Sequence, residues 1–494
     1  MKYARGLLLT FSTLLLGLTI AACGRSGQAE NLTPETLEDV LSIALTRREG
    51  LKVSDERLAQ LTEGRSPLTI APVYIHTRRA FVDEISTVNA IRDTDILFYA
   101  MAGAYGPYIY FGGDEVFMPI RDDIIEILNA QPSWSQSDFA SLLRSQLSRI
   151  IVDGHFIIDN VNLQTNEYKF FTYSGRFYIS ENGFKCQSRL LYVNELMLPC
   201  RPDINLDPDE IFRLSIDEMG SNFFYVPVIT LRIYPDETSP GQLVIIYEDG
   251  TTETVPLKIP ENQWFGGWSP YPTLDFIHNI PVVAIRGLGP MQGDGAQQFL
   301  AYARRLSEES VVILDLRGNM GGDGGVINKW FYSLTGVNIS PVYRRLTLRS
   351  LDAYLMQLSP WYDPYLPFPG GQRIPFDYKH VITPAAPDEI APNDNLLIVL
   401  TDRFSASGAE WMTDITFNME NALVIGQNTN GTMLSVPYFM HLFYSGINVA
   451  FGLCILVHPE GLFQEGIGFA PDIWVTGCAL TAALGMLENH FHQE

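Results

Sequence analysis

Leu396-Leu397-Ile398-Val399-Leu400-Thr401-Asp402-Arg403-Phe404-Ser405-Ala406-Ser407-Gly408-Ala409-Glu410-Trp411-Met412-Thr413 reads as a buried strand that ends in a tight turn of small residues, where a helix begins. The first five residues are an unbroken apolar run, the pattern of a strand covered on both faces. A serine at a helix N-terminus, with Ala and Gly around it, sits beside backbone N–H groups that lack helical partners and can hold an oxyanion. That geometry suits acyl transfer, as in a serine peptidase. The same residues also fit a capping box, with Glu410 three positions after Ser407. This stretch alone leaves both readings open.

The surrounding sequence extends the pattern. Residues 281–286, 311–316, 396–400 and 423–426 read as buried strands, and residues 295–306 and 408–419 as helices between some of them. Such alternation predicts βα units and a sheet covered on both faces. The strand at 311–316 runs into Arg317-Gly318-Asn319-Met320-Gly321-Gly322. Glycines there let the backbone approach another group and turn N–H groups toward one point. The spacing fits neither GxGxxG nor GxxxxGK[ST], which disfavours a nucleotide site. The insertion between Trp330 and Asn395 is rich in Pro and Tyr and has no clear assignment.

Upstream, residues 158–275 carry alternating apolar residues, many Tyr and Phe, and turn clusters such as Glu248-Asp249-Gly250, so they read as a small β-rich module with a hairpin over 242–257. Residues 33–157 read as helical. Thr33-Pro34-Glu35 looks like a helix start, and further helical patterns cover 79–91, 95–104, 121–130 and 137–152. The α/β core spans 276–490 in this division.

The N-terminus reads as a targeting segment. Lys2 and Arg5 precede an apolar stretch that ends in Ile20-Ala21-Ala22-Cys23. This resembles a bacterial lipobox, with residues 1–22 as signal peptide, Cys23 as the lipidated residue and 23–32 as a tether. An ordinary secretory signal and a membrane anchor are the other readings. The expected location is the bacterial cell envelope, facing periplasm or exterior, with the membrane contacted through the lipid anchor. The composition, 46% hydrophobic and 18% charged, is that of a globular protein. The net charge of −23 argues against nucleic acid as a partner. Cys186, Cys200, Cys454 and Cys478 allow three pairings, of which 186–200 and 454–478 are the local ones. No CxxC or HExxH occurs, so neither a metal nor a cofactor is expected.

Four segments in order, LDLRGNMGG at 314–322, SASGAE at 405–410, VIGQNTNG at 424–431 and EGIGFAPD at 465–472, together resemble the C-terminal processing (tail-specific) protease family, which includes the tricorn core protease and retinoid-binding relatives. The resemblance is strongest over 276–480 and implies a crotonase/ClpP-like α/β catalytic core with a helical N-terminal region. It also puts the β-rich module, as a degenerate PDZ-like unit, where the family often carries a PDZ domain. Ser407 matches the family's nucleophile, with Ser405 as runner-up. The lysine of the Ser-Lys branch falls at Thr432, and no lysine follows Lys379. The resemblance therefore points to the Ser-His-Glu, tricorn-like branch, with His155 of Asp153-Gly154-His155 as base and Glu465 as the carboxylate that orients it.

The chemistry needs each of these types. A serine hydroxyl is a poor nucleophile until a base takes its proton. Histidine titrates near neutrality and can return that proton to a leaving amine. A carboxylate fixes the tautomer and stabilises the imidazolium. The N–H groups of Gly408 and of Gly321 or Gly322 are candidates for the oxyanion hole. His441 and His458 are rival bases closer in sequence, and Glu410 reads as a cap or buried support. The expectation is an exported, membrane-anchored serine endopeptidase acting on peptide or protein. The alternatives are an inactive peptidase fold that binds a peptide or an apolar ligand and, more remotely, an unrelated solute-binding lipoprotein.

Overall fold

The computed structural model describes residues 33–62, 82–163, 168–233, 240–260, 265, 267–349, 379–382 and 390–490. The lipobox-like segment with Cys23, the proposed tether and most of the Pro- and Tyr-rich insertion lie outside these residues.

Helices come first in the chain: α1 (Leu37–Glu49), α2 (Asp55–Thr62), α3 (Thr87–Ala104), α4 (Gly113–Leu128) and α5 (Gln136–Leu147). The start of α1 differs from the expectation. Thr36 is its N-cap, and Thr36 and Asp39 satisfy each other's backbone N–H groups in a capping box. The Thr33 hydroxyl instead accepts the Ile179 N–H, 2.8 Å away. The patterns at 79–91 and 95–104 are not two helices. From Thr87 the chain runs as one helix capped by Ser86, and residues 79–81 lie outside the described set. Gly112, at φ +103°, ends the preceding turn and opens α4. The helices α3, α4 and α5 pack around Phe98, Phe117, Phe139 and Leu143, all fully buried.

The middle of the chain is β-rich, as its alternation predicts. Phe223–Arg232 is the central ribbon of one sheet and pairs antiparallel with Tyr168–Thr172 and Phe212–Ile216. The hairpin forms from Gln242–Tyr247 and Thr252–Pro256.

The C-terminal region is built on a six-stranded sheet: β1 (Thr273–Ile277), β2 (Ile280–Ala284), β3 (Val311–Asp315), β4 (Leu396–Thr401), β5 (Ala422–Gly426) and β6 (Ile473–Trp474), adjacent in that order. The β1–β2 pair is antiparallel and all other neighbours are parallel. Helices α6 (Asp294–Arg305), α7 (Ile327–Thr335), α8 (Gly408–Thr416) and α9 (Ala479–His490) complete this part. All six residues of β4 are buried. Ile398 and Leu400 face one apolar cluster and Leu397 and Val399 the other, so layers cover both sides of the sheet. Burying each such side chain contributes roughly 1.5–3 kcal/mol, which is why the unbroken apolar runs mark these strands. Helix α7 begins before the unassigned stretch, runs into it and buries Trp330 and Phe331. All four described cysteines are free, so neither local pairing is made. Cys186 and Cys454 are buried and unpaired, while Cys200 and Cys478 are exposed.

One small sheet joins the helical region to the core. The two-residue strand Ile157–Ile158 pairs antiparallel with Asn448–Gly452, Ile158 opposite Val449 and Ile157 opposite Ala450. Ile158, Val449 and Phe451 pack with the helical cluster. This pairing carries residues 153–155 toward the turn that follows β4.

Candidate active site

Strand β4 delivers Ser407 to the first turn of α8. Its backbone is left-handed, φ +53° and ψ −108°, a conformation costly for a non-glycine residue, on the order of 1–3 kcal/mol. Surrounding hydrogen bonds hold it. The Ser407 N–H donates to Glu410 Oε2 at 2.9 Å. The same buried carboxylate accepts from the Thr429 hydroxyl at 2.7 Å and from the N–H groups of Gly431 and Thr432 at 2.7 and 2.8 Å. Thr432, at the position of the Ser-Lys branch's lysine, thus serves as a backbone donor. Ser407 and Glu410 thus form the capping box that their spacing allows. Ser405 is enclosed: its hydroxyl donates to the Leu316 carbonyl and accepts the Asp402 N–H.

Asp402 and Arg403 act separately rather than as a pair. Asp402 Oδ1 accepts the N–H groups of Gly318 and Phe404, at 3.0 and 2.9 Å, and so ties the glycine-rich turn to the serine turn. The Arg403 guanidinium donates to the carbonyls of Thr429, Asn430, Gly466 and Ile467 and lies over the Phe170 ring. Burial lowers its pKa to about 10, so it stays charged at neutral pH. It pins two of the loops singled out in the sequence against each other.

His155 Nε2 stands 3.1 Å from Ser407 Oγ. Its turn is held by two buried carboxylates. Asp153 accepts the His155 N–H at 2.9 Å, the Tyr105 hydroxyl at 2.8 Å and the Ser435 hydroxyl at 2.9 Å. Glu465 Oε1 accepts the Gly154 N–H at 2.7 Å, and its Oε2 accepts the N–H groups of Met433 and Leu434 at 2.9 and 2.7 Å. Glu465 therefore grips the backbone one residue before the imidazole. Glu465 makes no direct hydrogen bond to the ring; the polar backbone group facing the imidazole is that of Ser435. Sequence reasoning singled out Glu465 but assigned Asp153, Tyr105 and Ser435 no role. Asp153 was visible in the DGH segment, whereas Tyr105 and Ser435 carry no local signal.

The electrostatics suit a neutral base. Burial lowers the His155 pKa below its ordinary value, and the nearby Asp153 charge and the Ser435 backbone oppose this only in part. Burial, with Asp153 close by, pushes Glu465 well above the usual carboxylate range. Burial also raises Glu410.

The glycine-rich turn lies against the serine. A Cβ on Gly321 would stand 2.7 Å from Ser407 Cβ, so only glycine fits. The Gly321 N–H is already given to Asn319 Oδ1 at 2.8 Å, which removes Gly321 from the candidate oxyanion donors. Among the described residues, the N–H groups of Gly322 and Gly408 have no acceptor. They are neighbours, since a Cβ on Gly408 would lie 3.4 Å from Gly322 N. The rival histidines are placed elsewhere. His458 is buried against Asp414, its Nε2 3.6 Å from Asp414 Oδ1, among Tyr343, Phe463 and Phe469. His441 ends strand Pro437–His441, opposite Asn448.

With this geometry in place, residues 280–475 match the family model described as peptidase family S41. That segment is thus similar to peptidase family S41. Its class of enzyme is serine-type peptidase, a hydrolase. Solved structures similar to the chain include mature CPAF complexed with lactacystin, at 14% identity and a TM-score of 0.41, covering 81% of this chain and 96% of that one. The photosystem II D1 C-terminal processing protease is 13% identical with a TM-score of 0.36, over 81% and 96% of the two chains. A lipoprotein from Streptococcus agalactiae is 12% identical with a TM-score of 0.37, over 83% and 99%. No curated protein matches the sequence. The matched segment contains Ser407 and Glu465, while His155 reaches it from outside.

Proposed function

We propose that this chain is an exported, membrane-anchored serine endopeptidase in which Ser407 is the nucleophile and His155 the general base. The observation that carries the reading is the 3.1 Å contact between His155 Nε2 and Ser407 Oγ, within reach for proton transfer. Burial keeps the imidazole neutral near pH 7, ready to accept. As the serine oxygen attacks the substrate carbonyl carbon, its proton passes to His155 Nε2. The N–H groups of Gly322 and Gly408 receive the oxyanion, where one donor typically contributes about 3 kcal/mol. Collapse breaks the C–N bond, and His155 returns the proton to the leaving amine. Water then repeats the cycle on the acyl-enzyme. Glu465 acts through Gly154, as a positioning residue for the turn that bears the base.

The anchor rests on sequence alone: Lys2, Arg5, the apolar run and Cys23. An inactive fold that binds an apolar ligand has no need of an imidazole against the serine, and that contact weighs against this alternative. The test is hydrolysis of an unstructured protein substrate by wild type and Ser407→Ala. New N-termini should appear only with wild type. Equal cleavage by both forms refutes the assignment.

A further inference from the structure

The Gly321–Gly322 peptide is held by its carbonyl. Gly321 O accepts the Leu288 N–H at 2.8 Å and the indole Nε1–H of Trp268 at 3.2 Å. No cis peptide bond occurs among the described residues, and in a trans peptide the C=O and N–H point in opposite directions. Fixing the carbonyl on the Leu288 and Trp268 side therefore turns the Gly322 N–H to the other side, where α8 begins. Leu288 and Gly322 form a parallel bridge, with the Asp323 N–H donating to Leu288 O. In such a bridge the N–H of Gly322 itself faces away from Leu288.

Trp268 is placed with little freedom and yet is not a core residue. Its side of the turn is cut to fit, since a Cβ on Gly287 would stand 2.1 Å from the indole nitrogen. Nevertheless 49% of the residue is exposed, and Met320, next to Gly321 in the chain, is 55% exposed. Burial alone gives a half-exposed indole a weak hold, so its directed contact is the one to Gly321 O. Donation to a carbonyl also polarises the amide and strengthens its own N–H as a donor, by about 10–30% per bond.

We infer that Trp268 is a positioning residue of the oxyanion hole: its indole N–H holds the Gly321 carbonyl and thereby aims the Gly322 N–H at the substrate oxyanion. The inference rests on the peptidase reading above. It assigns Trp268 to the transition state rather than to substrate binding, because the Gly322 N–H matters most when charge develops on the oxygen.

Two replacements at position 268 separate the N–H from the ring. Trp268→Phe removes both the N–H and part of the surface. Site-specific 3-benzothienylalanine keeps the bicyclic shape and removes only the N–H. For each, kcat and KM are measured on a peptide substrate, together with affinity for a peptide aldehyde of the same sequence. Binding of the uncleaved peptide is measured in the Ser407→Ala background. For the benzothienyl variant, kcat and aldehyde affinity should fall together by about five-fold, the loss of one ordinary hydrogen bond. KM and uncleaved-peptide affinity should hold. Unchanged kcat and aldehyde affinity in the benzothienyl variant overturn the inference while leaving the peptidase reading intact. A rise in KM alone also overturns it, since that marks a wall for the substrate. A wild-type protein that cleaves nothing defeats the peptidase reading, and this inference with it.

Discussion

The His155 imidazole and the Ser407 hydroxyl meet at 3.1 Å although 252 positions separate them in the chain. Two residues of strand, Ile157–Ile158, bring them together by pairing with Asn448–Gly452 inside the catalytic half. The imidazole thus comes from the helical region and the serine from the segment that the S41 model matches, and neither part holds both.

The pH dependence of acylation follows from the imidazole's surroundings. Burial lowers the His155 pKa, so the reactive neutral form persists below the ordinary value of about 6.5. The acid limb of kcat/KM should have its midpoint below that value. Neutralising Asp153, whose charge favours the protonated ring, should move the limb lower still in Asp153→Asn. A midpoint above 6.5 in wild type would contradict this account of the base.

Glu465 holds the turn through backbone N–H groups, so its loss should act on geometry. In Glu465→Gln one acceptor oxygen becomes a donor facing Gly154 N–H or the Met433 and Leu434 N–H groups. Displacement of His155 by even 1 Å should cost on the order of 100-fold in acylation rate. Pre-steady-state burst kinetics measure it. Wild-type rates in the variant would mean that the grip on Gly154 does not matter.

Glu410 satisfies four donors while fully buried. Each buried donor left without a partner costs about 1–3 kcal/mol. Glu410→Ala should therefore lower the thermal midpoint sharply, with several kcal/mol lost, and the strained Ser407 backbone should relax. Calorimetry reads the first effect. A midpoint within a degree or two of wild type would show that the loops do not depend on this carboxylate.

Away from the site, burial pushes the Asp414 pKa up to about 7 and His458 down to about 3. The folded state thus keeps a proton on Asp414 that the unfolded chain releases above about pH 4. Stability from this group is present at low pH and lost as pH rises through 7. The difference in Tm between wild type and Asp414→Asn should accordingly shift against wild type between pH 5 and pH 8. A shift in its favour would reverse the assigned direction.

The four inner strands of the central sheet, β2 to β5, were legible because parallel strands covered on both faces leave continuous apolar runs such as Val311–Asp315 and Leu396–Thr401, whereas the outer strands β1 and β6 leave no such run. The turns around Gly321 and Ser407 were legible through their small residues. Less could be read where long-range pairing decides. A two-residue strand such as Ile157–Ile158 has no periodicity, and nothing in it names Val449 and Ala450 as partners. Which donors are already used is also invisible in sequence, so Gly321 and Gly322 looked equivalent until Asn319 was seen to take the Gly321 N–H. The one long helix from Thr87 to Ala104 has apolar and polar residues at irregular spacing, which made it look like two pieces.

The central claim is that Ser407 is a nucleophile activated by His155. Labelling of the full chain with a fluorophosphonate, followed by peptide mass spectrometry, tests it most directly. The adduct should sit on Ser407, disappear in Ser407→Ala and form far more slowly in His155→Ala. An adduct on a different serine, or undiminished labelling of Ser407→Ala, would contradict the claim.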